Sequence, residues 1–112
     1  MNNFQIVKHL WLNKANIEAK SLNGYTPLHK ATLGNHLSVV KLLVKADCIV
    51  NETNNWLRTA TLLAAKNGYL DVLNYLISNK GDPTAKDKFE HTALHLASAN
   101  SFIVNGKVTS DH

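Results

Sequence analysis

The chain has 112 residues, 45% of them hydrophobic and 18% charged, and twelve basic against eight acidic residues give a net charge of +4. This is the length and composition of one ordinary globular domain with a modest core. A run of about 18 apolar residues, which a membrane helix needs, is missing, the single Cys48 excludes an internal disulfide, and the scattered lysines form no block of the kind nucleic-acid binding uses.

In chain order, the first apolar stretch is FQIVKHLWL at 4–12. The start MNNFQIVKHLWLNK lacks the basic beginning and long apolar stretch of a signal peptide, so an intracellular, cytoplasmic protein is expected. A polar connector follows, KANIEAKSLNGY at 14–25, whose Asn23-Gly24 pair signals the tight turn of a protruding hairpin. Thr26 then offers a hydroxyl to the free N–H groups of a helix start, and Pro27 stands at the first helical position, where no N–H is required. Together they predict a helix of about two turns over PLHKATL, 27–33. After the turn GNH at 34–36, Leu37, Val39, Val40, Leu42, Leu43 and Val44 cover most of a second helix, which suits one sandwiched between neighbours.

The same frame returns downstream. Thr26, Thr59 and Thr92 are spaced by 33, as are Ala31, Ala64 and Ala97, and Leu37, Leu70 and Ile103. A period that fixed signals a repeat architecture. It predicts first helices over ATLLAAK at 60–66 and ALHLASA at 93–99, and a second helix carried by Leu70, Val72, Leu73, Tyr75, Leu76 and Ile77. The turn NGY at 67–69 places Gly68 where a left-handed residue ends the helix, and Asn35, in the same column, tolerates that conformation next best. Connectors ADCIVNETNNWLR at 46–58 and NKGDPTAKDKFEH at 79–91 fit neither helix period.

Gly24, Thr26, Pro27, Leu28, His29 and Ala31, with HLSVVKLLV at 36–44 and ANIEAKS at 15–21, closely resemble the ankyrin repeat, and the resemblance covers nearly the whole chain. It implies an all-α solenoid of stacked antiparallel helix pairs with projecting hairpin loops, here a short array with incomplete terminal units. The expected units are a half-unit at 1–23 holding a second helix and its connector, full units at 24–56 and 57–89, and a partial unit with a tail at 90–112. Ala60, Thr61 and Leu62 in the middle unit interrupt any ladder through the histidine column. Trp56, Leu57 and Arg58 replace Asn23, Gly24 and Tyr25, and Glu90 occupies the glycine column of the third unit, which leaves the hairpin shape of those units open.

His29 and His95 lie two repeats apart, on the order of 20 Å in a stack with helices about 10 Å apart, so one ion cannot bridge them and a structural place near the helix start is expected. Neither a Ser/His/Asp constellation, nor paired carboxylates, nor a phosphate loop occurs, so no enzyme, cofactor or metal is expected. Trp11 shares the core column of Val44 and Ile77. The resemblance implies a module that binds another protein through hairpin tips and a concave helical face. Tyr25, Trp56, Arg58, Phe89 and His91 are the tip candidates, led by Trp56, Arg58 and Phe89 because aromatics and arginine dominate interface hot spots. Lys30, Leu33, Leu63 and Lys66, with Leu96 and Asn100, are the helical-face candidates, packing between repeats being the alternative for Leu63 and Leu96. The alternatives are a structural spacer within a larger protein, or a host-directed effector or inhibitor. Because the two ends lack complementary helices, weak head-to-tail self-association of residues 93–104 on residues 4–12 is expected.

Overall fold

Helices of two turns are not stable in water by themselves, so this chain must hold its helices through their neighbours. The computed structural model describes residues 17–99 and the backbone of two short strands beyond them. Its helices are α1 (Pro27–Leu33), α2 (Leu37–Lys45), α3 (Ala60–Asn67), α4 (Leu70–Ser78) and α5 (Ala93–Ala99). The first three-residue columns of each unit start them as the sequence predicts. Thr26 Oγ1 accepts from His29 N–H at 3.3 Å, Thr59 Oγ1 from Leu62 N–H at 3.2 Å and Thr92 Oγ1 from His95 N–H at 3.3 Å.

The first helices α1, α3 and α5 pack side by side in one layer, and α2 and α4 form a second layer behind them. Asn35 (φ 56°) and Gly68 (φ 72°) make the left-handed turns that fold each second helix back on its first. Asp47 (φ 64°) and Lys80 (φ 76°) make left-handed turns after the second helices, although the lysine does not announce it. A non-glycine residue in this conformation costs on the order of 1 kcal/mol, which the buried interface between repeats must offset.

That interface is dry. Val40, Leu43, Leu62, Ala64, Val72, Leu73 and Leu76 are each at most 1% exposed, and full burial of a leucine contributes about 1.5 to 3 kcal/mol. The stack has an uncovered end. Leu28 of α1 is 2% exposed, whereas Leu94, in the same column of α5, is 57% exposed, with no further repeat packed on it among the described residues. In place of a second helix the chain pairs β1 (Ile103–Val104) antiparallel with β2 (Lys107–Val108), and β1 lies against α5. The stretch 4–12 with Trp11, and the residues Asn100 and Phe102, lie outside the described residues, so the first half of the proposed head-to-tail contact does too.

Leu43 is buried between α2 and its neighbours, so Leu43→Ala is expected to lose about 2 to 5 kcal/mol through transfer and cavity terms. Ser38→Ala, on the exposed side of the same helix, should stay within about 0.5 kcal/mol of the parent. Urea melts of the two variants measure the difference.

Candidate functional site

A polar side chain at the base of each hairpin loop organises the face. Ser21 N–H donates to Tyr25 O, Asn54 N–H to Arg58 O and Asp87 N–H to His91 O, one bond per repeat. The turn leaves further N–H groups unpaired, and the same three side chains accept them. Ser21 Oγ takes that of Tyr25. Asn54 Oδ1 takes those of Trp56 and Arg58, and Asp87 Oδ1 those of Phe89 and His91. Such bonds are how Ser, Asn and Asp hold turns, and they answer the question of hairpin shape. Units two and three keep the form of unit one. Leu57 (φ 57°) and Glu90 (φ 67°) adopt the left-handed conformation that Gly24 (φ 84°) takes in the first hairpin. Consecutive tips are joined as well, Asn55 N–H donating to Asn23 O at 3.1 Å and Lys88 N–H to Trp56 O at 2.8 Å.

The third hairpin carries a charge in its base. The Asp87 side chain has no exposed surface, and a buried carboxylate must be paired. Arg58 Nε donates to Oδ2 at 3.2 Å, and His91 Nδ1 stands 3.6 Å from the same oxygen. Burial on its own would raise the Asp87 pKa. The N–H groups of His91 and Phe89 and the Arg58 guanidinium outweigh it and hold the carboxyl below its usual 3.8. In the middle hairpin the neutral Asn54 needs no counter-ion.

His29 is a structural residue. Its Nδ1 accepts from Thr26 N–H at 2.9 Å, which leaves Nε2 as the donor to Glu52 O, also at 2.9 Å. The ring thus closes the capping box of α1 and ties it to the connector of the next repeat. Burial lowers its pKa below the ordinary 6.5, so the neutral imidazole is the form that fits.

On this frame the tip candidates gather along one edge. The Trp56 ring is half-buried against Tyr25, with centroids 6.3 Å apart. Phe89 is 57% exposed, 6.1 Å from the His91 ring, which stacks on His95 at 4.5 Å. Arg58 sits at the same edge, but its head group is engaged with Asp87, so its role is to hold the hairpin. Lys30, Leu33 and Lys66 are exposed on the helical face. Leu63 is not, at 3% exposure, and Leu96 is likewise buried. For Leu63 the reason is that α3 is enclosed by α1, α4 and α5, so every residue from Ala60 to Ala65 is inside; Leu96, in the same column of α5, is covered as well.

Two exposed tip residues escape a reading based on aromatics and arginine. Leu22 is almost entirely exposed and Leu57 half exposed. Leu57 could have been found as a large apolar residue standing in the column of Gly24. The base column was legible too, since Ser21, Asn54 and Asp87 are spaced by 33.

Chemistry is sparse elsewhere. A cleft of about 430 Å³ opens between the ends of α2 and α4, beside Val44, Cys48, Val50 and Asn79. Burial, with help from the Glu18 and Asp47 carboxylates, pushes the Cys48 thiol up to about 12, so it is protonated and a poor nucleophile. Among the described residues no group of three His, Cys, Asp or Glu side chains could hold a metal ion, and no helix is long and apolar enough to cross a membrane.

The family model for ankyrin repeats, in three copies, matches residues 1–87. The chain belongs to the ankyrin-repeat family. It is similar to palmitoyltransferase AKR1 of Lachancea kluyveri (36% identity over 69% of this chain and 11% of that protein) and to inversin of Canis lupus familiaris (38% over 66% and 7%). It is also similar to ankyrin repeat and SAM domain-containing protein 6 of Rattus norvegicus, 31% identical over 86% of this chain and 11% of that protein. The chain therefore spans about a tenth of the length of these relatives. Ankyrin repeats are protein-interaction modules, and the ankyrin fold is not itself catalytic.

Two predictions follow from the hairpin bases. Arg58→Ala leaves the Asp87 charge buried without its partner and should cost about 3 kcal/mol. Adding Asp87→Asn, which restores the neutral acceptor seen at Asn54, should recover most of that loss in a double-mutant cycle of urea melts. For His29, the unfolded ring binds a proton near 6.5 and the folded ring more weakly. Its contribution is complete above that pH and is lost as the pH falls from there towards the lowered folded value. His29→Leu, the residue the middle repeat carries, should remove that share of the slope when stability is measured from pH 7.5 to about 5.

Proposed function

We propose that this chain binds a partner protein through the hairpin edge and the adjoining helical face. The observation that carries the reading is that three tips, fixed by equivalent side-chain acceptors and joined by backbone bonds, hold Leu22, Leu57 and Phe89 at the surface. Pre-ordered loops are what a protein-binding edge needs, because little conformational freedom is lost when the partner arrives. Exposed large apolar residues clustered on such loops are otherwise a liability in water. The helical face next to them adds Lys30, Leu33 and Lys66. A cytoplasmic setting belongs to the same proposal, supported by a buried Cys48 held as a free thiol.

A photo-crosslinking residue placed at Phe89 tests this in the cell that makes the protein. Adducts to one or a few proteins are expected from position 89 and none from the same probe at Ser38, on the exposed side of α2. Equal labelling from both positions, or none from position 89, would remove the hairpin edge as the binding surface.

A further inference from the structure

The third repeat differs from the other two in what it places around the start of its first helix. Residues 25, 58 and 91 share one column, and residues 29, 62 and 95 share another. The first repeat fills them with Tyr25 and His29, set edge to face at 6.0 Å, and the middle repeat with Arg58 and Leu62. The third has a histidine in both. Its two rings lie nearly parallel, 24° apart in plane, with centroids at 4.5 Å.

A buried carboxylate stands behind the first ring. Asp87 Oδ2 lies 3.6 Å from His91 Nδ1, and that nitrogen is buried without a hydrogen-bond partner, while the His91 side chain as a whole reaches the surface. The carboxylate favours a proton on Nδ1, which leaves the lone pair of the neutral imidazole on Nε2. A carboxylate in this place is what fixes the tautomer and the orientation of metal-ligating histidines. Arg58 balances the Asp87 charge from the neighbouring hairpin at 3.2 Å, so no net positive charge behind the ring repels a cation. His95 supplies the second nitrogen. Its counterpart His29 uses both ring nitrogens, one on Thr26 N–H and one on the Glu52 carbonyl. Among the described residues His95 makes neither bond, and only its backbone N–H is engaged, with Thr92 Oγ1. The ring is exposed and turned onto His91.

Metal–nitrogen bonds of about 2.0 to 2.1 Å hold two adjacent imidazole ligands with their ring centres about 4.5 to 5 Å apart. The rings therefore already stand at chelating separation. They need only splay, which the exposed His95 side chain is free to do, for both to aim a nitrogen at one ion. We propose that His91 Nε2 and a ring nitrogen of His95 bind a divalent transition-metal ion of the zinc, copper or nickel kind, with Asp87 holding His91 in its ligand form. Imidazole is the ligand that suits all three ions. Structural zinc sites are closed by four protein ligands, whereas two leave coordination positions open to water or to a side chain of another protein. An ion held in this way is exchangeable. The site goes beyond the protein-binding reading and does not depend on it.

The probe is zinc chloride, titrated by calorimetry into the purified chain after treatment with a chelator. One saturable site is expected, and zinc should raise the melting temperature of the parent. His95→Gln removes an exposed ring, so it should leave the melting temperature of the metal-free chain unchanged while abolishing the rise with zinc. Asp87→Asn keeps an acceptor for the hairpin N–H groups and should weaken zinc about 10- to 100-fold, the usual cost of losing the carboxylate behind a ligand. His36→Gln removes an exposed histidine at the far end of α1 and should change nothing. The proposal is overturned if no saturable binding appears below about a millimolar, or if binding survives His95→Gln. It is equally overturned if His36→Gln weakens zinc as much as His95→Gln does, or if Asp87→Asn leaves the affinity unaltered.

Discussion

Every other feature of this molecule depends on the burial of α3 between its neighbours. With α1 and α5 on its flanks and α4 behind it, α3 has no exposed residue from Ala60 to Ala65. Helices this short gain too few internal hydrogen bonds to repay nucleation, so what stabilises them is contact with adjacent repeats. In such a stack stability is a sum of nearest-neighbour terms. Another repeat packs after the first and none does after the last among the described residues, which is why Leu28 and Leu94, in one column, differ so widely in exposure.

A second set of constraints is polar and holds the loops. The acceptor at the hairpin base is a half-buried hydroxyl in the first repeat, a buried amide in the second and a buried carboxylate in the third. Each chemistry brings its own requirement. The Asn54 amide leaves its Nδ2 buried without a partner among the described residues, while the Asp87 carboxylate needs the cation that Arg58 supplies from the neighbouring hairpin. Arg58 thus joins consecutive hairpins, as His29 ties α1 to the connector after α2 through the Glu52 carbonyl. The loops are consequently rigid enough to display side chains in fixed places.

Those displayed side chains give the edge its chemical character. Trp56 is partly spent on Tyr25, and Arg58 wholly on Asp87, so the residue types that most often dominate interfaces are here at least partly structural. The exposed apolar surface passes instead to Leu22, Leu57 and Phe89. An ankyrin stack can vary its tips in this way because the backbone of each hairpin is fixed from below, independently of what the tip carries.

The period of 33, the threonine caps, the helix spans and the membership of the ankyrin family were legible in the residues alone. All are local or periodic, set by N-cap chemistry and by apolar columns that any stack of this kind must bury. The structural character of His29 was legible too, from its place behind Thr26 and Pro27. What tertiary structure decided is which side of each helix stays open and which backbone positions tolerate strain. For Leu63 and Leu96 the sequence leaves a place on the open helical face and packing between repeats as alternatives, and the stack buries both. Leu57, Glu90 and Lys80 give no local sign of a left-handed backbone, because residue type records the cost of a conformation and not the neighbours that impose it. Once hydrogen bonds from the adjacent repeat fix a loop, the side chain there is free to be chosen for the surface it presents.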